Sequence, residues 1–138
     1  KVTLGAEVEL VERFLAIERV RFGPRLGFER QVSADAEACL LPPMILQPLV
    51  ENAVKHGVGQ LLEGGVVRVR AERAGSRLRL GVENEVDPEA QAQAGGGIGL
   101  ANVRERLLAA YGIEASVHAT RVDNMFRVEL VLPADTGE

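Results

Sequence analysis

LPPMILQPLVENAVKHG, residues 41–57, is the stretch from which the rest of the chain can be read. Wound at the helical period, it places Ile45, Leu46, Leu49, Val50, Ala53 and Val54 on one broad apolar side. Glu51, Asn52 and Lys55 fall on the opposite side, and His56 stands at the border, one turn beyond Asn52. A carboxylate, an amide and an ammonium on one short patch offer a base, a neutral oxygen ligand and a phosphate-seeking cation. The same residues also fit a plain wet face, because Glu51 and Lys55 make a good i,i+4 ion pair. Taken alone, the stretch leaves both readings open. Pro42 and Pro43 are expected in the first turn, where proline is tolerated, and Gly57 at the C-terminal stop. Pro48 removes a backbone donor, so either the helix kinks there or its regular part begins there.

Working outward, residues 3–22 have the pattern of a long amphipathic helix. Thr3 is a suitable N-cap, and Glu7 and Glu9 sit in early turns where the helix dipole favours acids. Leu4, Val8, Val11, Leu15 and Phe22 form a stripe that Leu10, Phe14 and Ile17 are expected to widen. Glu18 interrupts that stripe, and Arg21 three residues on is its natural partner. Gly23-Pro24 ends the helix. Residues 26–33 alternate like a strand, and 35–38 are expected to form a loop. Residues 65–84 read as a hairpin turning at Ala74-Gly75-Ser76, with its arginines on a solvated face. A helix is expected from about Leu100 to Tyr111, buried through Leu100, Val103, Leu107, Leu108 and Tyr111. A second hairpin follows over 114–132, with His118 in mid-strand, and the tail from Pro133 is expected to fray.

The 138 residues suffice for one compact core. With a net charge of −4, a single Tyr and no Trp, a basic or base-stacking nucleic-acid surface is not expected. No apolar run reaches membrane-spanning length. The chain lacks an initiator Met and a leader-like segment, so it is expected to be part of a longer protein. Cys39 is the only cysteine; it reads as a small buried hydrophobe in a reducing compartment.

Residues 85–97, EVDPEAQAQAGGG, have almost no large apolar side chain and read as a mobile loop. Gly95, Gly96, Gly97 and Gly99 lead straight into the helix near Leu100. Unpaired N–H groups at a helix start, reached through glycines with no Cβ in the way, suit a phosphate. Glycine-rich loops are also often mere linkers. The spacing matches neither a Walker A loop nor a dinucleotide fingerprint.

Together, PPMILQPLVENAVKHG and GGGIGLANVRERLLAAYG resemble the ATP-binding catalytic domain of LytS/AlgZ-type sensor histidine kinases, members of the GHKL superfamily with the Bergerat fold. The segment ELVERFLAIERVRFG is similar to the helix that precedes that domain in the family, and the likeness runs from about Leu4 to Leu132. The resemblance implies an α+β two-layer sandwich, a mixed and mainly antiparallel sheet with helices on one face. It implies a linker helix over 1–24, from a preceding dimerisation and phosphoacceptor region, and a catalytic domain over 25–138. Asn52 would coordinate Mg2+ on the ATP phosphates, Glu51 would act as or orient the general base, and Lys55 and His56 would touch phosphate. Gly95, Gly96, Gly97, Ile98, Gly99 and Leu100 would form the glycine box, and 85–97 the ATP lid.

Two departures stand out. Relatives carry an Asp, then Gly-x-Gly, where this chain has Asn84 and no glycines. Exchanging a charged for a neutral hydrogen bond costs on the order of 1 kcal/mol, so adenine binding is expected to be weakened or retuned, not lost. The phosphoacceptor histidine is also missing from the chain and would lie upstream. The expected function is transfer of the ATP γ-phosphoryl group to that histidine, for relay to a response regulator. The expected setting is the cytoplasmic part of a membrane-anchored sensor, homodimeric as a whole and monomeric as this domain. The alternatives are a degenerate Bergerat-fold module that binds a partner without catalysis, and an anti-sigma-factor-type protein kinase.

Overall fold

The computed structural model describes residues 1–87 and 98–137. Strand β1 (Val2–Thr3) leads into helix α1 (Leu4–Phe22), then β2 (Leu26–Val32), a one-turn α2 (Ala34–Glu37) and β3 (Leu40–Leu41). Helix α3 (Leu46–His56) is followed by the hairpin β4 (Gly65–Ala74) and β5 (Arg77–Glu85). Helix α4 (Ile98–Tyr111) precedes the second hairpin, β6 (Ser116–Val122) and β7 (Met125–Pro133). The main sheet has the order β2-β4-β5-β7-β6; β2 runs parallel to β4 and every other pairing is antiparallel. The short β1 and β3 pair separately.

Strand alternation sorts the sheet into two faces. Val67, Val69, Leu78, Leu80, Val82, Val128, Leu130 and Leu132 form its buried face. They share one core with Leu4, Val8, Val11 and Leu15 of α1, Leu46, Leu49, Val50, Ala53 and Val54 of α3, and Leu100, Val103 and Leu107 of α4. This is the expected two-layer α+β sandwich, with the helices on one face. On the opposite face Glu29, Arg68, Glu83 and Arg127 lie side by side across four strands. Arg68 pairs with Glu29 at 3.1 Å, and Arg127 and Arg70 pair with Glu83 at 2.8 and 3.1 Å. The arginines expected on a solvated face are thus laced into a cross-strand ladder of alternating charge.

Helix α1 starts as expected: the Thr3 hydroxyl accepts from the Ala6 amide at 3.2 Å. Gly23 ends it at φ 65°, a conformation that glycine adopts without strain. Glu18 does meet Arg21, at 3.5 Å.

Several expectations need correction. Leu10 and Ile17 do not widen the buried stripe, being 42% and 68% exposed; of the three flanking residues only Phe14 packs against the core. Leu108 is likewise 65% exposed, because α4 packs through the row of Leu100, Val103 and Leu107. The expected loop at 35–38 contains α2, whose Arg30–Glu37 ion pair ties it back to β2. The tail does not fray where expected: β7 continues to Pro133, and Leu40 donates to the Asp135 carbonyl at 2.6 Å. The Asp135 carboxylate also holds Lys1 at 2.9 Å and the Gly137 amide at 2.9 Å. Those two contacts, the Gly137 amide first, hold the Asp135 carboxyl below its ordinary value.

Pro42 and Pro43 do not open α3. They lie in the connection after β3, and the helix starts at Leu46. Pro48 is therefore the third helical residue, where its missing N–H costs no intrahelical bond. That resolves the choice left open by the sequence: regular helix begins just before Pro48. Gly57 does stop the helix, but at φ −112° rather than in the left-handed region.

Candidate functional site

Helix α3 carries the polar residues singled out in the sequence, and the fold divides them between two rows. Glu51 and Lys55, one turn apart, line a groove of about 430 Å³ between α1 and α3, together with Phe14, Glu18, Arg21 and Phe22. The Glu51 carboxylate accepts from the Gln47 side-chain amide at 3.2 Å. Asn52 and His56 lie on the neighbouring row, four and eight residues beyond Pro48. Pro48 faces α4: a Cβ built on Gly99 would stand 3.7 Å from the Pro48 carbonyl oxygen. Asn52 is half-buried on this α4-facing row, and His56 is exposed.

Asn84 occupies the far end of β5, on the helix-covered face, and is only 2% exposed. Its Nδ2 donates to the Glu85 carbonyl at 3.0 Å. Helix α3 comes down directly onto it at Gly57, where any Cβ would overlap the Asn84 amide and stand 2.6 Å from the Ala53 carbonyl. Glycine is required at 57 by this close approach, not by a turn conformation. Asn52 therefore stands just past the middle of the helix on its α4 side, and Asn84 lies beneath its C-terminus.

The glycine box is described only in part. Ile98, Gly99 and Leu100 form the first turn of α4, where backbone N–H groups have no intrahelical acceptor. Gly95, Gly96, Gly97 and most of the expected lid lie outside the described residues. Among the described residues no three His, Cys, Asp or Glu side chains cluster to hold a metal, and no helix is long and apolar enough to cross a membrane.

Two residues that organise the site were not recognised in the sequence. The Glu7 carboxylate, 2% exposed, accepts from the backbone amides of Met44, Ile45 and Leu46 at 3.2, 2.8 and 3.1 Å. It caps α3 from another helix. Arg106 of α4 donates to the Met44 carbonyl at 2.6 Å and to the Pro43 carbonyl. A signal for Glu7 existed: it lies on the apolar stripe, three residues after Leu4 and four before Val11. The same test that flagged Glu18 would have found it. Arg106 gives no such signal, because it looks like any polar position on α4.

No protein-family model matches the chain. In sequence it is 36% identical to the sensor histidine kinase BtsS of Escherichia coli over 133 residues, which cover 96% of this chain and 24% of BtsS. It is 29% identical to the sensor protein LytS of Staphylococcus haemolyticus over 147 residues, covering 98% of this chain and 25% of LytS. The chain thus spans about a quarter of the length of these relatives. In structure it superposes on the catalytic domain of the histidine kinase ThkA with a TM-score of 0.72, covering 97% of this chain and 96% of that domain at 14% identity. ThkA in complex with the response regulator TrrA matches at 0.71, over 99% of this chain and 42% of that one, at 13% identity. The fold is the one seen in histidine-kinase catalytic domains, the Bergerat fold. Its relatives in sequence are sensor histidine kinases, a LytS protein among them.

Proposed function

We propose that this chain is the ATP-binding catalytic domain of a two-component sensor histidine kinase. In this reading the phosphates of ATP lie on the α4 side of α3, between Asn52 and the first turn of α4. The adenine lies toward Asn84. The observation that carries it is the placement of Asn52: a half-buried amide on the row of α3 that faces Gly99. One amide oxygen suits Mg2+, which keeps several waters and takes most other ligands from phosphate. Bound there, the ion would supply charge neutralisation on the transferring group. Gly99 leaves the backbone of α4 open to phosphate oxygens, and His56 adds a hydrogen-bonding group one turn beyond Asn52, whereas Lys55 shares the α1-facing groove with Glu51. Asn84, with its Nδ2 engaged by Glu85, offers its Oδ1 to the amino group of adenine.

Glu51 faces the groove along α1 rather than α4. The acceptor histidine, supplied from outside this chain, therefore approaches α3 from the α1 side. Glu51 takes the proton from the attacking imidazole as the P–N bond forms and the bond from the γ-phosphorus to the leaving oxygen of ADP breaks. Little covalent chemistry is asked of the protein in such a transfer; positioning and charge stabilisation do most of it. The phosphoryl group then passes to a response regulator. The whole protein is a homodimer anchored in a membrane, with this domain on the cytoplasmic side where ATP is.

Calorimetric titration with ADP and a non-hydrolysable ATP analogue, with and without Mg2+, tests the reading. Binding should strengthen with Mg2+, and Asn52→Ala should abolish that gain. The departure at Asn84 favours a second reading, a partner-binding module without catalysis. Absence of binding at millimolar nucleotide would put that reading first.

A further inference from the structure

The turn that enters α3 is held from both sides by opposite charges on two other helices. Ile45, at the N-cap position, has no side chain that can cap. Glu7 of α1 instead takes the amides of Met44, Ile45 and Leu46, and Pro48 has no N–H to satisfy. Arg106 of α4 takes the carbonyls of Met44 and Pro43 on the same turn. Between them Met44 sits at φ 61°, a region that a non-glycine residue holds only where its surroundings impose it. The start of α1 is sewn to the same segment: Thr3 pairs with Leu40, and Leu4 donates to the Cys39 carbonyl at 2.8 Å. Asn52 stands six residues beyond Leu46 in unbroken helix, about 9 Å along a stiff rod. A displacement of Glu7 is therefore carried to Asn52, while Arg106 keeps α4 in register with the same turn.

We propose that Glu7 is a positioning residue of the site: by holding the first turn of α3 it sets where Asn52 stands relative to α4. The lie of α1 is thereby imposed on the site with no contact between α1 and the ligand. This inference rests on the nucleotide-binding reading above for its ligand, not for its geometry.

The test is ADP titration with and without Mg2+ on the wild type, Glu7→Gln, Asn52→Ala and the double variant. Glu9→Gln, an exposed change on the same helix, is the control. Glu7→Gln keeps the shape of the side chain but turns one acceptor into a donor facing a backbone N–H. It should reduce the Mg2+-dependent gain in affinity several-fold, leave Mg2+-free binding little changed, and have no further effect when Asn52 is already Ala. A loss that is equal without Mg2+, or that adds to the Asn52→Ala loss, overturns the proposal and leaves Glu7 a stabilising cap. If the wild type binds no nucleotide, the functional reading fails and the positioning claim is decided separately. The side-chain amide resonances of Asn52 in a nitrogen–proton correlation spectrum should then move in Glu7→Gln and not in Glu9→Gln; unmoved resonances overturn it. If Glu7→Gln does not fold, Glu7→Asp, with the same charge and a shorter reach, takes its place in every arm.

Discussion

At its N-terminal end α3 is held by charge: a buried carboxylate from α1 on three amides and a guanidinium from α4 on two carbonyls. At its C-terminal end it is held by shape, with Gly57 lying against the Asn84 amide so closely that no side chain fits between them. The two attachments fail differently. Charged hydrogen bonds reach across elements and survive small displacements at reduced strength. Close-packed contact tolerates almost no added volume. The polar residues of α3 lie between these two fixtures, on a helix whose ends belong to the scaffold.

The largest expected effect comes from breaking the charged end. Glu7→Ala leaves three backbone donors without their acceptor at a buried turn, and should destabilise the domain by about 3–5 kcal/mol. Urea unfolding checks this; a loss below about 1 kcal/mol would mean that water replaces the carboxylate and that the end is not held by charge. Next is the shape-held end. Gly57→Ala should cost about 2–3 kcal/mol through overpacking and displace Asn84. In an Asn84→Ala background most of that cost should disappear, since the overlapping amide is gone. Equal costs in both backgrounds would place the constraint at the Ala53 carbonyl instead. Smallest is Arg106→Ala, about 1 kcal/mol, because the guanidinium is only half-buried and water can reach the carbonyls it leaves. If Arg106→Ala costs as much as Glu7→Ala, the turn is held equally from both sides.

The strand and helix sequence of the chain was legible because it rests on periodicity. Leu4, Val8, Val11 and Leu15 repeat at helical spacing, and the alternation of Leu78, Leu80 and Val82 belongs to a half-buried strand; both patterns are local. The errors fell where a residue's surroundings come from distant elements. Leu108, Leu10 and Ile17 are apolar residues in otherwise buried-looking patterns, yet the packing of α1 and α4 leaves all three facing away from the core. Pro42 and Pro43 were placed in the first turn of α3 because proline is permitted there, but the acceptor that starts this helix is Glu7, some forty residues earlier.

What the sequence determined by itself is the identity of the components of the candidate site: an Asn-bearing helix within 41–57, a glycine-led helix from about Leu100, and a two-layer sandwich to carry them. Local pattern and residue chemistry suffice for that. Which way each component faces was decided only in three dimensions. Glu51 and Asn52 are adjacent in sequence but lie on rows that look toward α1 and α4 respectively, and only the packing of those helices reveals the difference. Asn84 meets Gly57 because β5 ends beneath α3, and Glu7 reaches Leu46 because β1 and β3 pair. These are contacts between residues 27 or more positions apart. Their energy is released only when the chain has closed those loops, so nothing in the local sequence records them.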